Sequence, residues 1–476
     1  MSTGRRRSNK SRYFVAAAGG AVALGLAYLF ARSASSDPAP TLAANLEAAS
    51  LGDRVLVIAP HPDDEVMTPG GLIARCRDRG AQVKVVLLTV GDGYRRAAQR
   101  IAKGALTPET YRELGRLRAA ESGRALGQLG VPAEDRVYLG YADGSLNSLW
   151  ELEWDPDRPH VGANGSPVVP YDFAFRPGAV CCGADLVADL ERTVTDFEPT
   201  AIVYPDPDDS HHDHWASAAF VDYCLEDLGY AGDRYTYVTH FYHYPFPWAH
   251  MSSAFVRPPE GLLQVGTRWH TLALDEETQS RKRRAIDAFA TQLSVPDLRV
   301  YLLAFDRRNE LFGTFARRSA SSVSSDEVPR GVEDDPGDRV VIEPPPAALE
   351  RLRGRRGVIR DVRFVRGPHT SWLGVRTFDG APADLRYDLH LRLFGGGQVP
   401  SRLDISVTGD SARVVTAASG SVQPASVRTE RAGDTVWVSV PSDLLERRTS
   451  AMAAAESHPG PGEWTGSRSA WRPFAL

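Results

Sequence analysis

Arg54-Val-Leu-Val-Ile-Ala-Pro-His-Pro-Asp-Asp-Glu65 runs five apolar residues, Val55 to Ala59, straight into a proline, a histidine and three acids. An unbroken apolar run suits a strand buried on both faces, as in a parallel sheet covered by helices. The residues on either side continue the theme. Helical spacing follows from about Glu65 to Arg79, and a second apolar run spans Gln82 to Val90. Pro108 to Leu129 places Tyr111, Leu114, Leu117, Ala125 and Leu129 at helical intervals. Strand-like Arg136–Leu139, helical Ala184–Phe197, β-like Thr200–Tyr204 and helical His214–Leu228 follow in turn. Tyr235–Tyr244 and Arg268–Leu274 read as further strands, and Glu276–Leu293 as a closing helix. Such alternation predicts an α/β fold, a doubly wound and mostly parallel sheet with helices on both faces.

The chain of 476 residues is too long for one core and divides by texture. Residues 1–36 form an N-terminal membrane anchor or signal segment, 50–315 the α/β domain, 316–350 a Ser/Pro/acidic linker, and 351–476 an accessory module. In the last part, short β-rich runs (Val358–Phe364, Leu385–Phe394, Leu403–Val407, Ala412–Ala417, Thr435–Val440) are separated by Gly, Pro and Asp, which predicts a sandwich-like all-β module.

Arg5, Arg6, Arg7, Lys10 and Arg12 precede Tyr13–Ala31, which contains no charge. A helix over that run is about 29 Å long, one hydrocarbon core. Basic residues before such a span stay in the cytoplasm, so the expectation is a protein anchored in the membrane with the rest of the chain outside, or secreted. Those five and Arg32 are balanced by no acid in residues 1–36, so with a net charge of −5 the rest of the chain is near −11. A body that acidic argues against nucleic acid as a partner. Four cysteines (Cys76, Cys181, Cys182, Cys224) form no disulfide framework and are expected to be buried small residues.

In open α/β sheets, ligands sit at the carboxyl ends of the strands. Two clusters of metal-type donors fall there: His61-Pro-Asp63-Asp64-Glu65, and Asp206-Pro-Asp208-Asp209-Ser-His211-His212-Asp213-His214. One His and one carboxylate from the first loop with one His from the second make a mixed N/O set of three, the arrangement of a catalytic zinc with an open position. A spare carboxylate is placed to take a proton from water, and a spare His to meet an oxyanion or a leaving group. Taken alone, the Asp-Asp-Glu turn reads equally as a helix cap.

Ala59-Pro60-His61-Pro62-Asp63-Asp64-Glu65 and Asp209-x-His211-x-Asp213-His214 resemble the two signature motifs of the PIG-L/LmbE family, zinc-dependent N-acetylglucosamine deacetylases and related amidases with a Rossmann-like fold. Leu88-Thr-Val-Gly91-Asp92-Gly93, Arg118-x-x-Glu121, Leu139-Gly-Tyr-Ala-Asp143-Gly144, Lys282 and Gln292 fit the same family, and the resemblance covers about residues 52–300. It implies one Zn2+ per catalytic domain, held by His61, Asp64 and His214, although iron or cobalt also suits such a donor set. Asp63 becomes the general base, His211 the group that stabilises the tetrahedral intermediate or protonates the departing amine, and Asp213 the residue orienting His211. Glu65 is expected to support or cap, and His212 to be a bystander. The implied substrate is an N-acetylated amino sugar in a glycan or glycolipid. Rival readings are an amidase cleaving a larger acyl or peptide-like amide, and a glycan-binding surface protein whose metal site is vestigial.

Other features carry blander expectations. His240-x-x-His243 lies in a β-like run, where positions i and i+3 point to opposite faces, so joint chelation is not expected. Gly395-Gly-Gly397 reads as a turn, and Arg281–Arg284 as a solvated charge run. Tyr242, Phe246, Trp248 and Trp269 form either a sugar-stacking wall or core. Trp372, Trp437, Trp464 and Trp471 stack on glycans or fill the sandwich.

Overall fold

The computed structural model describes residues 43–329 (except 103, 264 and 265), 339–341, 355–397, 399–417, 427–458 and 467–476. Its first half is a sheet of β1 (Ala43–Asn45), β2 (Arg54–Ala59), β3 (Gln82–Thr89), β4 (Arg136–Tyr141), β5 (Ala201–Pro205), β6 (Asp233–Tyr237), β7 (Thr267–Ala273) and β8 (Asn309–Phe315). The strands lie in the order β1-β7-β8-β6-β5-β2-β3-β4. β4, β3, β2, β5 and β6 are mutually parallel, and β8 runs antiparallel to both of its neighbours. Chain order reverses between β2 and β5, which creates the crevice at their carboxyl ends. Val55 to Ala59 are all buried, as expected of a strand covered on both faces.

The helices are α1 (Asp64–Met67), α2 (Gly70–Asp78), α3 (Arg95–Ile101), α4 (Pro108–Gln128), α5 (Leu146–Glu151), α6 (Gly183–Phe197), α7 (His212–Asp227), α8 (Glu276–Ile286), α9 (Ala290–Leu293) and α10 (Pro296–Leu303). One helix was expected over 65–79, but Thr68-Pro69 divides it in two, because proline donates no backbone hydrogen bond. The start of α2 is fixed by Glu310 of β8, which accepts from the Gly71 and Leu72 amides at 2.6 and 2.8 Å. Glu310 in turn receives Lys282 of α8 at 2.7 Å, with both side chains 1% exposed. Lys282 therefore departs from the expected solvated run.

The C-terminal strands are β9 (Arg318–Ser319), β10 (Ser321–Ser322), β11 (Arg339–Val341), β12 (Ile359–Arg366), β13 (Thr370–Thr377), β14 (Arg386–Phe394), β15 (Ser401–Thr408), β16 (Ser411–Ala417), β17 (Thr429–Ala432), β18 (Thr435–Pro441), β19 (Ser450–His458), β20 (Ser467–Arg468) and β21 (Arg472–Ala475). One sheet runs β10-β12-β13-β18-β17 with β11 beside β12, the other β16-β15-β14-β19-β21-β9 with β20 beside β19. Their facing residues, among them Val362, Phe364, Leu373, Val438, Leu391, Ile405, Ala453 and Phe474, share one core, as a sandwich requires. The stretch read as linker, 316–350, is not linker throughout: β9 pairs with β21, and β10 and β11 both pair with the edge of β12 that faces away from β13. Strands of two or three residues close sheet edges and are too short to show a period in the sequence. Gly395, Gly396 and Gly397 all have positive φ and turn β14 towards β15.

The module is joined to the α/β domain by an apolar seam. Trp150 of α5 packs edge-on against Phe220 and Tyr223 of α7 and against Trp471, with ring centroids 5.0, 5.9 and 5.0 Å apart. Phe394 packs on Tyr223 at 4.8 Å, and the Arg402 guanidinium lies 4.0 Å from the Trp154 ring. Trp471 thus fills the seam, and Trp372 and Trp437 are buried together in the module; Trp464 lies outside the described residues. All four cysteines are buried and unpaired. Among the described residues no helix is long and apolar enough to cross a membrane, and Tyr13–Ala31 lies outside them.

Lys282→Met leaves the Glu310 carboxylate buried without its cation, which is expected to cost about 3–5 kcal/mol. Denaturant unfolding of the variant checks this, and an unchanged midpoint would refute it.

Candidate active site

β2 and β5 are neighbours, so the loops that follow them face each other across the crevice. The first loop is tied to β3, because Pro60 O accepts from both the amide and the hydroxyl of Thr89 at 3.0 and 2.9 Å. His61, Asp64 and His214 converge: His61 Nδ1 and His214 Nε2 lie 3.1 and 3.2 Å from the same atom, Asp64 Oδ2. Asp64 and His214 are fully buried. Even so, Asp64 Oδ1 has no hydrogen-bond partner, and the His214 ring nitrogens meet carboxylates only at 3.2 and 3.3 Å without good hydrogen-bond geometry. Buried polar atoms left unsatisfied are costly and call for a partner. Donor atoms around a tetrahedral ion at 2.0–2.2 Å stand about 3.3–3.6 Å apart, slightly wider than the 3.1 and 3.2 Å seen. The two spacings to Asp64 suit a zinc-type ion, while the compact donor sets split the three residues, one holding His61 with His214 and another Asp64 with His214.

The site offers more than three donors. Sets with ligand atoms within 4.8 Å of one another are His61/His211/His214, Asp64/His214/His240, His61/Asp143/Asp213 and His211/His212/Asp213. The charge around them favours a cation. Burial pushes His214 down, but Asp64 and Asp209 outweigh it and raise the ring to about 9. Burial likewise opposes protonation of His61, yet Asp143, Asp213 and Asp64 hold it well above the ordinary range. Asp209 is the carboxylate behind His214, with Oδ2 3.3 Å from Nδ1. It also accepts from the amides of His211, Thr239 and His240, each at 2.9 Å.

Asp63 has a φ of 130°, a region that L residues rarely occupy, and its side chain does not cap α1. The cap comes from Glu65, which accepts the Asp63 amide at 2.8 Å and the Ser122 hydroxyl at 2.6 Å. Burial pushes the Asp63 carboxyl up to about 7 against the pull of Arg118, whose guanidinium is 3.3 Å away. Arg118 also donates to Gly91 O and Pro62 O, each at 2.8 Å, so it holds the loop as well as the carboxylate.

His211 precedes α7, and its Nδ1 accepts the Asp213 amide at 3.2 Å. With Nδ1 so used, the neutral ring carries its proton on Nε2. Burial and the nearby His214, His61 and His240 hold its pKa far below the usual value, which keeps it neutral. The Asp213 carboxylate makes no hydrogen bond to His211. It meets His61 Nε2 at 2.9 Å and accepts the Gly144 and Leu146 amides at 2.8 and 2.9 Å. The residue it orients is thus His61, because the α7 backbone turns its side chain towards β4. His212 stacks on His211 at 4.5 Å with its side chain half exposed.

Further groups join the cluster without having been assigned a role from the sequence. A strand continuing through Tyr244 would point His240 and His243 to opposite faces, but β6 ends at Tyr237 and the chain turns. His240 thereby enters the cluster, 4.7 and 5.0 Å from the rings of His214 and His211, whereas His243 packs against Tyr242. Its position just past the carboxyl end of a neighbouring strand was the available signal. Asp143, 3.1 Å from His61 Nε2, follows β4 in the same way. Of the four aromatics, Trp269 is core, while Tyr242, Phe246 and Trp248 are about half exposed. Trp248 packs on Tyr301, which stacks on His240.

Residues 56–225 match the model of the PIG-L family, described as GlcNAc-PI de-N-acetylase. The chain is 34% identical over 164 residues to a 1D-myo-inositol 2-acetamido-2-deoxy-alpha-D-glucopyranoside deacetylase of Mycobacterium sp. (strain KMS), which is 34% of this chain and 46% of that protein. The protein of the same name from Tsukamurella paurometabola is 30% identical over 166 residues, 34% of this chain and 52% of its own. The chain thus spans about half the length of the curated relatives it matches. Among solved structures, N,N'-diacetylchitobiose deacetylase from Pyrococcus horikoshii aligns over 55% of this chain and 82% of its own, with 19% identity and a TM-score of 0.34. The A40926 pseudoaglycone deacetylase aligns over 55% of this chain and 96% of its own, with 21% identity and a TM-score of 0.37.

Two outcomes are expected. Asp213→Asn should lower metal affinity by about 10-fold, measured by chelator competition, as befits a partner of a ligand histidine. A full loss of turnover at unchanged metal affinity would instead return Asp213 to His211. Since His214 is protonated below about 9, a metal ion must displace that proton. His61, also held well above the ordinary range, must lose its proton too, so apparent affinity should rise about a hundredfold per pH unit between pH 6 and 8, and a flat profile over the same titration would contradict this.

Proposed function

We propose, from the premise that residues 56–225 belong to the PIG-L family, that this chain is a zinc-dependent N-deacetylase of amino sugars. The observation that carries the reading is the convergence of His61 and His214 on one buried oxygen of Asp64, with Asp63 and His211 at its edge. A bound metal ion would supply Lewis-acid activation of water and of the amide carbonyl. Asp63 accepts the proton of the attacking water, for which a carboxyl near 7 is well matched at neutral pH. Arg118 steers that carboxylate and, by stabilising its charged form, keeps it available as a base. His211, neutral and protonated on Nε2, donates to the oxygen on which negative charge develops. The proton taken up by Asp63 then passes to the departing amine, giving acetate and a free amino sugar.

The substrate class follows the 2-acetamido sugars named for the curated relatives, and this is a proposal for the present chain. The half-exposed Tyr242, Phe246 and Trp248 provide apolar faces on which a sugar ring can stack. Export or membrane anchoring is proposed from the basic cluster and the uncharged run Tyr13–Ala31, which makes an envelope glycan or glycolipid the fitting carrier.

Purified protein should release acetate from N-acetylglucosamine-containing glycans or glycolipids, and a chelator should abolish the release. Asp63→Asn should retain metal while losing about 10²–10⁴-fold in kcat. Metal and glycan binding without acetate release would refute the deacetylase reading.

A further inference from the structure

The β module reaches the turn after β5 through Arg472, and the residue after His214, Trp215, through Arg468. Arg472, on β21, lies across the seam with Nη2 2.5 Å from Asp208 Oδ2, and the two side chains are 10% and 13% exposed. Its guanidinium carbon is 3.7 Å from the centre of the Phe315 ring at the end of β8. The contact is therefore sheltered, between groups held by two separate sheets. Asp208 sits inside the turn that follows β5: its amide donates to Asp206 Oδ1 at 2.9 Å, and the Asp209 amide donates to Asp206 O at 2.9 Å. The next side chain is Asp209, which stands behind His214 and accepts the amides of His211, Thr239 and His240. One peptide unit thus separates the carboxylate that Arg472 grips from the carboxylate that orients His214.

We infer that Arg472 is a positioning residue of the metal centre, supplied by the C-terminal module, which fixes the Asp206–Asp209 turn and through it Asp209 and His214. The module is on this account part of the catalytic unit. The inference rests on the reading of His61, Asp64 and His214 as metal ligands. Losing the guanidinium frees Asp208, loosens the turn, and lets Asp209 drift from the ring it orients. Supports of metal-ligating histidines affect metal affinity by about 10–100-fold when removed.

The test uses the full-length chain and cobalt as the probe, read by the visible spectrum of bound Co2+ and by competition with a chelator. Arg472→Gln and, independently, Asp208→Asn should each weaken Co2+ binding by about 10-fold and alter its spectrum. Arg472→Lys, which keeps the charge, should recover part of both. Phe394→Ala opens the same seam away from the turn; it should lower the melting temperature and leave affinity and spectrum as they were. If Arg472→Gln and Asp208→Asn lower only the melting temperature, the contact is merely structural and the inference falls. Failure of the unaltered protein to bind Co2+ would overturn the metal reading itself. Normal binding there with no change in the variants would overturn this inference alone.

Discussion

Everything at this site depends on one buried oxygen. Asp64 Oδ2 has two imidazole nitrogens within 3.2 Å, one from the loop after β2 and one from the first turn of α7. Those loops meet only because β2 and β5 pair side by side, although about 145 residues of chain separate them. A buried arrangement of carboxylates and imidazoles with orphaned polar atoms is expensive as a purely structural device. It becomes favourable when a cation occupies the space between the donors, as the geometry allows.

Around this point the carboxylates divide the work. Asp209 and Asp213 stand behind His214 and His61 and set which nitrogen of each ring faces Asp64. Asp63, one residue before Asp64, is kept apart by an unusual backbone angle and by Arg118. Two adjacent carboxylates thereby acquire opposite character. Asp64 is held well below the usual range, against the effect of burial, by His214 and His61, while Asp63 is raised by burial. Separating the pKa values of neighbouring acids is how one site provides both a ligand and a base.

The second domain changes how the first should be understood. Its Trp471 and Phe394 continue the aromatic packing around Trp150 and α7, the helix that begins at the site. An apolar seam whose residues share one core cluster opposes independent domain motion. The part of the chain that resembled a tether instead supplies edge strands to both sheets of the sandwich.

Local sequence by itself determined the α/β class, the β module, and the two donor loops, because each is written in short-range pattern: a doubly buried strand is an apolar run, and metal donors cluster where it ends. His61, Asp63, Asp64, His211 and His214 were visible for that reason, and the structure brings all five together. Tertiary structure alone decided that Asp213 serves His61, that His240 joins the cluster, which partners Arg118 and Asp143 take there, and that Arg472 holds the turn beside it. Those contacts join residues far apart in the chain. Their geometry is set by strand pairing, by where β6 stops and by how two domains pack, none of which leaves a periodic trace in the residues concerned.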